Sequence, residues 1–219
     1  DAKFSHSLAD LKNLADYALA FGSNEFVVCA SAYQPWTDKI PGNTGGGRHY
    51  CLNRNNTYWN YSRPFWDYQA RCAGLLRKGI SIVDLCVYLG DNPPVKLLSY
   101  RLPEMPEGYN FDVCTTDALI NRTKALNGDI VLPDGMKYRM LVLQKDCKMT
   151  LAALRHIAAL VKQGVPLYGE RPAYPVSLAE RMHDNEYDKM VNALWGTGKK
   201  ESGVHSLGKG HVYWGMTLE

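Results

Sequence analysis

Short apolar runs that alternate with helical patterns restrict most of this chain to a parallel α/β architecture. Residues 80–88, 109–114, 138–143 and 165–168 are rich in Ile, Val, Leu, Phe and Tyr and read as strands. Strands covered on both faces have such near-continuous apolar sequences, and parallel neighbours need a crossover between them. The intervening segments carry helix signals. Ser62 caps a helix with Pro64 in its first turn, Phe65, Tyr68, Cys72 and Leu75/Leu76 on one face, and Gly79 as its stop. Thr115 or Thr116 caps a short helix through Leu119. Thr150 caps a longer one bearing Leu151, Leu154, Ile157 and Leu160/Val161 and closed by Gly164. Another helix is expected over 186–195 and a last strand over 211–214. Asn127-Gly128 predicts a tight hairpin, and Pro133-Asp134-Gly135 a second turn. The pattern over 80–215 predicts a doubly wound, mostly parallel sheet.

The beginning of the chain does not continue that pattern. Ser7-Leu-Ala-Asp10 spells a capping box, Leu8, Leu11, Leu14 and Ala18 keep a helical period, and Gly22 suits the C′ position. A helix over 7–21 therefore leads into an apolar strand over 25–31. This is one αβ step, and the next strand waits until residue 80. The expected division is a first region, 1–60, resembling the end of a larger assembly, and an α/β domain over 61–219.

Composition excludes several classes of function. Hydrophobic residues make up 46% of the 219, enough for a sizeable core, and a net charge of +3 is too mild to imply nucleic acid or an anionic membrane. No apolar run approaches the length of a membrane span, and the chain as given opens without a leader pattern, so a soluble chain without its own export signal is expected. The six cysteines, at 29, 51, 72, 86, 114 and 147, form no C-x-x-C pair and lie mostly in apolar surroundings, which favours buried thiols over a disulfide framework. No His/Cys cluster has zinc-ligand spacing.

Between 33 and 59 the chain mixes aromatic, amide and guanidinium side chains on a long loop: Tyr33-Gln34-Pro35-Trp36, then Asn53-Arg54-Asn55-Asn56-Thr57-Tyr58-Trp59. Aromatic faces and fixed hydrogen-bond donors are what a sugar needs for recognition, and loops are where such groups collect. Tyr33, Gln34, Trp36 and Arg54 are the candidate substrate-binding residues. Trp36 would stack, and Gln34 and Arg54 would reach hydroxyls.

Known catalytic patterns fail elsewhere. Gly203–Gly210 nearly spells a phosphate-binding loop, but Gly210 stands where Ser/Thr would hold magnesium, and the segment runs into a strand. No G-x-G-x-x-G follows a strand, which removes a dinucleotide site. Glutamine-amidotransferase chemistry needs a cysteine on a glycine-flanked elbow and a His-x-Glu pair; Cys147 lies in Gln144-Lys-Asp-Cys-Lys-Met, and no His precedes Glu by two. Hydrolysis of a glycoside needs two facing carboxylates. Near the aromatic loop only Glu25 and Asp38 offer themselves, with Glu25 at the wrong end of its strand. No catalytic residue and no metal site is assigned within the chain.

Gln34-Pro35-Trp36, Pro41-Gly42, Asn53–Trp59, Val87-Tyr88-Leu-Gly90-Asp91, Gly108-Tyr109-Asn-Phe-Asp112, Asp117-Ala-Leu-Ile-Asn121-Arg122 and, most specific, Leu132-Pro-Asp-Gly-Met-Lys-Tyr138-Arg139-Met-Leu-Val-Leu143 together resemble the α-L-rhamnosidases of glycoside hydrolase family 106 along nearly the whole chain. The family pattern favours His where this chain has Cys29 and Tyr33. The resemblance implies an inverting hydrolase of terminal α-L-rhamnose on plant polysaccharides, with two catalytic glutamates and calcium. It also implies a (β/α)8 barrel followed by an α/β domain of class I glutamine-amidotransferase-like type without that chemistry. On this reading residues 1–60 are the last αβ units of the barrel, and the glutamates and calcium site belong upstream of Asp1. Full-length members are often periplasmic or secreted. Expected partners are a rhamnose-containing glycan and either the missing barrel or a second copy in a homo-oligomer. The alternative is a non-catalytic α/β domain for carbohydrate binding or interaction.

Overall fold

A computed structural model describes residues 6–28, 32–45, 52–177, 180, 184–198 and 201–218. The chain divides into two compact units, residues 1–80 and 81–219.

The first unit holds helices α1 (Leu8–Ala20) and α2 (Arg63–Leu76), with a 3-10 turn at Trp59–Tyr61. The capping box forms as the sequence requires: Asp10 N–H donates to the Ser7 hydroxyl, and Ser7 N–H donates back to the Asp10 carboxylate at 2.9 Å. Gly22, with φ +95°, ends the helix in the left-handed conformation. Neither helix contains a buried residue. The strand expected over 25–31 is corrected as far as Val28: residues 23–28 form no ladder, and Val27 is 90% exposed. A strand exists only with a pairing partner, and the described residues of this unit supply none. Cys29–Ser31 lie outside the described residues. Helix α2, grouped by the sequence reading with the later domain, belongs to this first unit.

The second unit is built on a six-stranded sheet. Its strands are β1 (Leu85–Tyr88), β2 (Phe111–Cys114), β6 (Met140–Leu143), β7 (Leu167–Tyr168), β8 (Gly203–Leu207) and β9 (Gly210–Trp214), in spatial order β2-β1-β6-β7-β9-β8. All neighbours are parallel except the edge pair β8–β9. A small antiparallel sheet joins β3 (Lys124–Leu126), β4 (Asp129–Val131) and β5 (Lys137–Tyr138). Asn127 and Gly128, at φ +55° and +90°, make the expected tight turn. The single strand expected over 138–143 divides at Arg139. Tyr138 pairs with Ile130 in the small sheet while Met140–Leu143 joins the main one.

Helices α3 (Thr116–Arg122), α4 (Leu151–Lys162) and α5 (Asp184–Trp195) cover one sheet face, where Cys86, Tyr88, Leu141 and Leu143 meet Leu119, Leu154, Ile157 and Val191 in one core. The opposite face, with Leu85, Val87 and Val142, is covered within this unit by Leu102 and Met105, next to a 3-10 turn at Ser99–Arg101. A doubly wound sheet needs helices on both faces, and the β1–β2 crossover is expected to supply one. Pro93, Pro94, Pro103 and Pro106 lie in that crossover and cannot donate within a helix. Strand β8 was not legible in the sequence. Its residues 203–210 form a hairpin in which Gly208, φ +65°, takes the first turn position and Lys209 N–H donates to the Lys162 carbonyl at 3.0 Å. A Cβ on Gly208 would stand 2.5 Å from that same carbonyl. The glycines that imitate a phosphate loop therefore seal the C-terminus of α4.

Candidate functional site

The loop of the first unit is held by amides. Gln34 Oε1 accepts from Asn43 N–H at 2.9 Å and from Asn55 Nδ2 at 3.3 Å, and Gln34 Nε2 donates to the Asn43 carbonyl. Asn55 Nδ2 also donates to the Pro41 carbonyl at 3.1 Å, and Asn43 Nδ2 to the Tyr33 carbonyl at 3.2 Å. Arg54 Nη2 donates to the carbonyls of Gln34 and Trp36, each at 3.0 Å. Asn43, Asn53 and Asn56 each accept from the backbone two residues on, the Asx-turn geometry for which short amide side chains are suited. Gly42, φ +74°, is required at the centre, because a Cβ there would lie 2.2 Å from Gln34 Oε1.

Of the four candidate residues, the loop brings Gln34 and Arg54 into one hydrogen-bonded knot, where their polar groups hold backbone. Tyr33 and Trp36 join it through their carbonyls, and their rings remain outside. Tyr33 is 79% exposed and Trp36 47%, with the Lys39 ammonium 4.7 Å from the Trp36 ring centroid. Two concave surfaces of this unit, one between α1 and α2 and one around Ile40 and Tyr58, are lined by none of the four.

In the second unit the natural place for a ligand is the crevice at the carboxyl ends of β1 and β6, where the strand order switches direction. It is filled by the chain itself. Asp91 accepts from the Tyr88 hydroxyl at 3.0 Å, from the Thr116 hydroxyl, and from Thr150 N–H at 3.2 Å. Asn92 Nδ2 donates to the Asp146 carbonyl at 2.8 Å and Asn92 Oδ1 accepts from Lys148 N–H at 2.7 Å. Glu180 Oε1 accepts from Leu151 N–H at 3.0 Å, in the first turn of α4. Gly90, φ +70°, packs so closely that a Cβ would stand 2.8 Å from the Cys147 sulfur. Sequence reading singled out Asp91 only as part of a motif. Its three donors come from three separate elements, a convergence no local pattern reveals.

Cys147 follows β6, where an amidotransferase nucleophile would stand. Burial, with the Asp91 carboxylate nearby, pushes its thiol up to about 12, so it stays protonated and unreactive at neutral pH. Cys86 and Cys114 are likewise buried thiols, Cys72 is a half-buried one, and all four are free. Cys29 and Cys51 lie outside the described residues. Among the described residues no three His, Cys, Asp or Glu side chains are grouped so as to hold a metal ion. No helix among them is long and apolar enough to cross a membrane.

The model of the glycoside hydrolase family 106 alpha-L-rhamnosidases matches residues 1–219. The chain belongs to this family. As a family 106 chain it is 32% identical over 206 residues to a Formosa agariphila protein described as "Putative beta-glucuronidase", a match covering 93% of this chain and 17% of that protein. It is also similar to the solved structure of a rhamnosidase from Novosphingobium sp. PP1Y, with TM-score 0.77 and 28% identity over 96% of this chain and 20% of that one. The family 106 chain thus spans about a fifth of the length of these relatives.

Proposed function

We propose that this chain is the C-terminal part of an inverting α-L-rhamnosidase acting on plant polysaccharides, with the catalytic glutamates and the calcium site in polypeptide upstream of Asp1. The observation that carries this reading is the whole-chain family match, spanning a fifth of its relatives, together with a first unit whose two helices contain no fully buried residue. The first unit would complete a (β/α)8 barrel. The second would be its amidotransferase-like α/β companion, with the nucleophile position inert and the ligand crevice closed. The rhamnoside preference follows the family and the Novosphingobium neighbour; the Formosa relative's name points to a different sugar. Tyr33 and Trp36 would present stacking faces to the substrate, with Gln34 and Arg54 fixing them and completing the contact to hydroxyls.

Inverting hydrolysis needs an acid and a base about 6.5–9.5 Å apart across the scissile bond. Glu25 is engaged with Arg77 at 3.3 Å, and near the loop the sequence offers only Asp38 as a second carboxylate. The 219-residue chain should therefore not turn over an aryl α-L-rhamnoside, whereas the longer polypeptide encoded with its upstream sequence should. Turnover by the chain alone that disappears in Glu25→Ala or Asp38→Ala would overturn this assignment. A second reading, a carbohydrate-binding domain without catalysis, draws on the exposed Tyr33 and Trp36 rings. It predicts glycan binding by the chain alone that is lost in Trp36→Ala.

A further inference from the structure

The carboxyl ends of β7 and β9 leave a second place for a ligand on the parallel sheet, and this one is open. The loop leaving β7, the last turns of α5 and Trp214 at the end of β9 line a pocket of about 460 Å³. That volume lies within the range of small-molecule sites. Trp195 and Trp214, only 4% and 8% exposed, form its base, and the exposed Glu170, Asp188 and Glu201 stand around it. The base is fixed by the fold. Trp195 Nε1 donates to the Gly169 carbonyl at 3.0 Å, and Trp214 packs on Gly203, where a Cβ would lie 2.6 Å from its ring.

Arg171 completes the wall. Its Nη1 donates to the Gly196 carbonyl and its Nη2 to Asn192 Oδ1, each at 2.7 Å. Both acceptors are uncharged. Among the described residues no ion pair joins Arg171 to a carboxylate, and Glu170, Asp188 and Glu201 enter none either. A guanidinium has five N–H donors in one plane, so two bonds lock the fork and leave the others available. Opposite charges lining one pocket gain by pairing. Here the fold holds them apart, which leaves both donors and acceptors for a third party.

That mixture selects a ligand by its charge. Three carboxylates repel an anion, and Arg171 disfavours a cation. A metal ion needs a tight group of ligands, and among the described residues no three such side chains form one. A neutral hydroxylated ring suits every wall. Its hydroxyls donate to the carboxylates and accept from Arg171, and its C–H edges rest on the indoles. We propose that this pocket binds a neutral sugar residue, as a non-catalytic glycan site built wholly from the second unit. That the hydroxylated ligand is a sugar rests on the hydrolase reading above.

The test follows the indole N–H signals of the 219-residue chain by NMR during titration with L-rhamnose, D-galactose or D-glucuronate. At least one of the two neutral sugars should shift the Trp195 and Trp214 signals, and D-glucuronate should bind at least about tenfold more weakly. At least one of Asp188→Ala and Glu201→Ala, both at exposed positions, should raise the Kd of the neutral sugar about tenfold, as expected for one charge-assisted hydrogen bond. Trp36→Ala should leave that Kd unchanged. Signals of Trp195 and Trp214 that neither neutral sugar moves, or a Kd that neither carboxylate substitution alters, overturn the proposal. So does D-glucuronate bound as tightly as the neutral sugar, or binding that disappears in Trp36→Ala. Turnover of an aryl α-L-rhamnoside by the longer polypeptide judges the hydrolase reading separately, so either can fail without the other.

Discussion

Helices α1 and α4 start from comparable sequence signals and end in opposite circumstances. Each has a hydroxyl N-cap, an apolar stripe and a glycine beyond its last turn. Helix α4 buries Ala153, Leu154, Ile157, Ala158, Leu160 and Val161, while α1 buries none of its residues. Among the described residues every buried apolar side chain lies between Leu85 and Trp214. Among the described residues of the first unit, those buried as whole residues, Asn56 and Ser62, are polar. An apolar stripe asks for a neighbour without providing one. The second unit contains its neighbours; the first relies on hydrogen bonds within a loop.

The largest expected effect is on independent folding. Residues 81–219 expressed alone should unfold in one cooperative transition, and 1–80 should show none. Limited proteolysis of the whole chain should leave a resistant fragment beginning near Ser81. A resistant 1–80 fragment would break the comparison.

Single truncations sharpen it. Leu154→Ala, at a fully buried position, should cost about 3–5 kcal/mol in denaturant unfolding of the second unit. Leu14→Ala, 56% exposed, should stay within about 0.5 kcal/mol. Placed in the longer polypeptide, Leu14→Ala should move toward the Leu154 value if a neighbour covers α1 there. Gly42→Ala tests what the first unit has in place of a core. The Cβ would enter the Gln34–Asn55 amide pair at a left-handed φ, so protease cutting between Tyr33 and Tyr58 should accelerate while the second unit's transition stays fixed.

The smallest effect is set by pH. His156 on α4 has its Nε2 2.8 Å from the Thr123 hydroxyl, and burial holds its imidazole below the ordinary 6.5. Folding therefore favours the neutral ring. The contribution is whole above 6.5 and is lost as pH falls toward the depressed folded value, where the unfolded chain takes up the proton more readily. The second unit's unfolding midpoint should decline on acidification through this window, and less steeply in His156→Gln. A midpoint that rises on acidification would contradict the assignment.

Features decided within a few residues were legible in the sequence: the Ser7–Asp10 box, the Asn127-Gly128 turn, and the span of α4 from Thr150 to Gly164. Those decided by distant partners were not. Residues 25–28 have the composition of a strand, but pairing is not a local property. Residues 203–207 pair with β9 despite a glycine-rich sequence, because β9 offers an edge. Gln34 and Arg54 show the limit for the site. An amide or a guanidinium is equally suited to a sugar hydroxyl and to a carbonyl of its own loop, and composition does not distinguish the two.

The closed crevice of the second unit has a thermodynamic consequence. Asp91 and Glu180 serve as internal counter-ions at the positive end of α4, where many α/β proteins leave room for a phosphate or cofactor. Stability that depends on a ligand rises and falls with the ligand's concentration. A domain that carries its anions covalently is free of that dependence, and at a fixed pH its melting temperature should be the same with and without added phosphate.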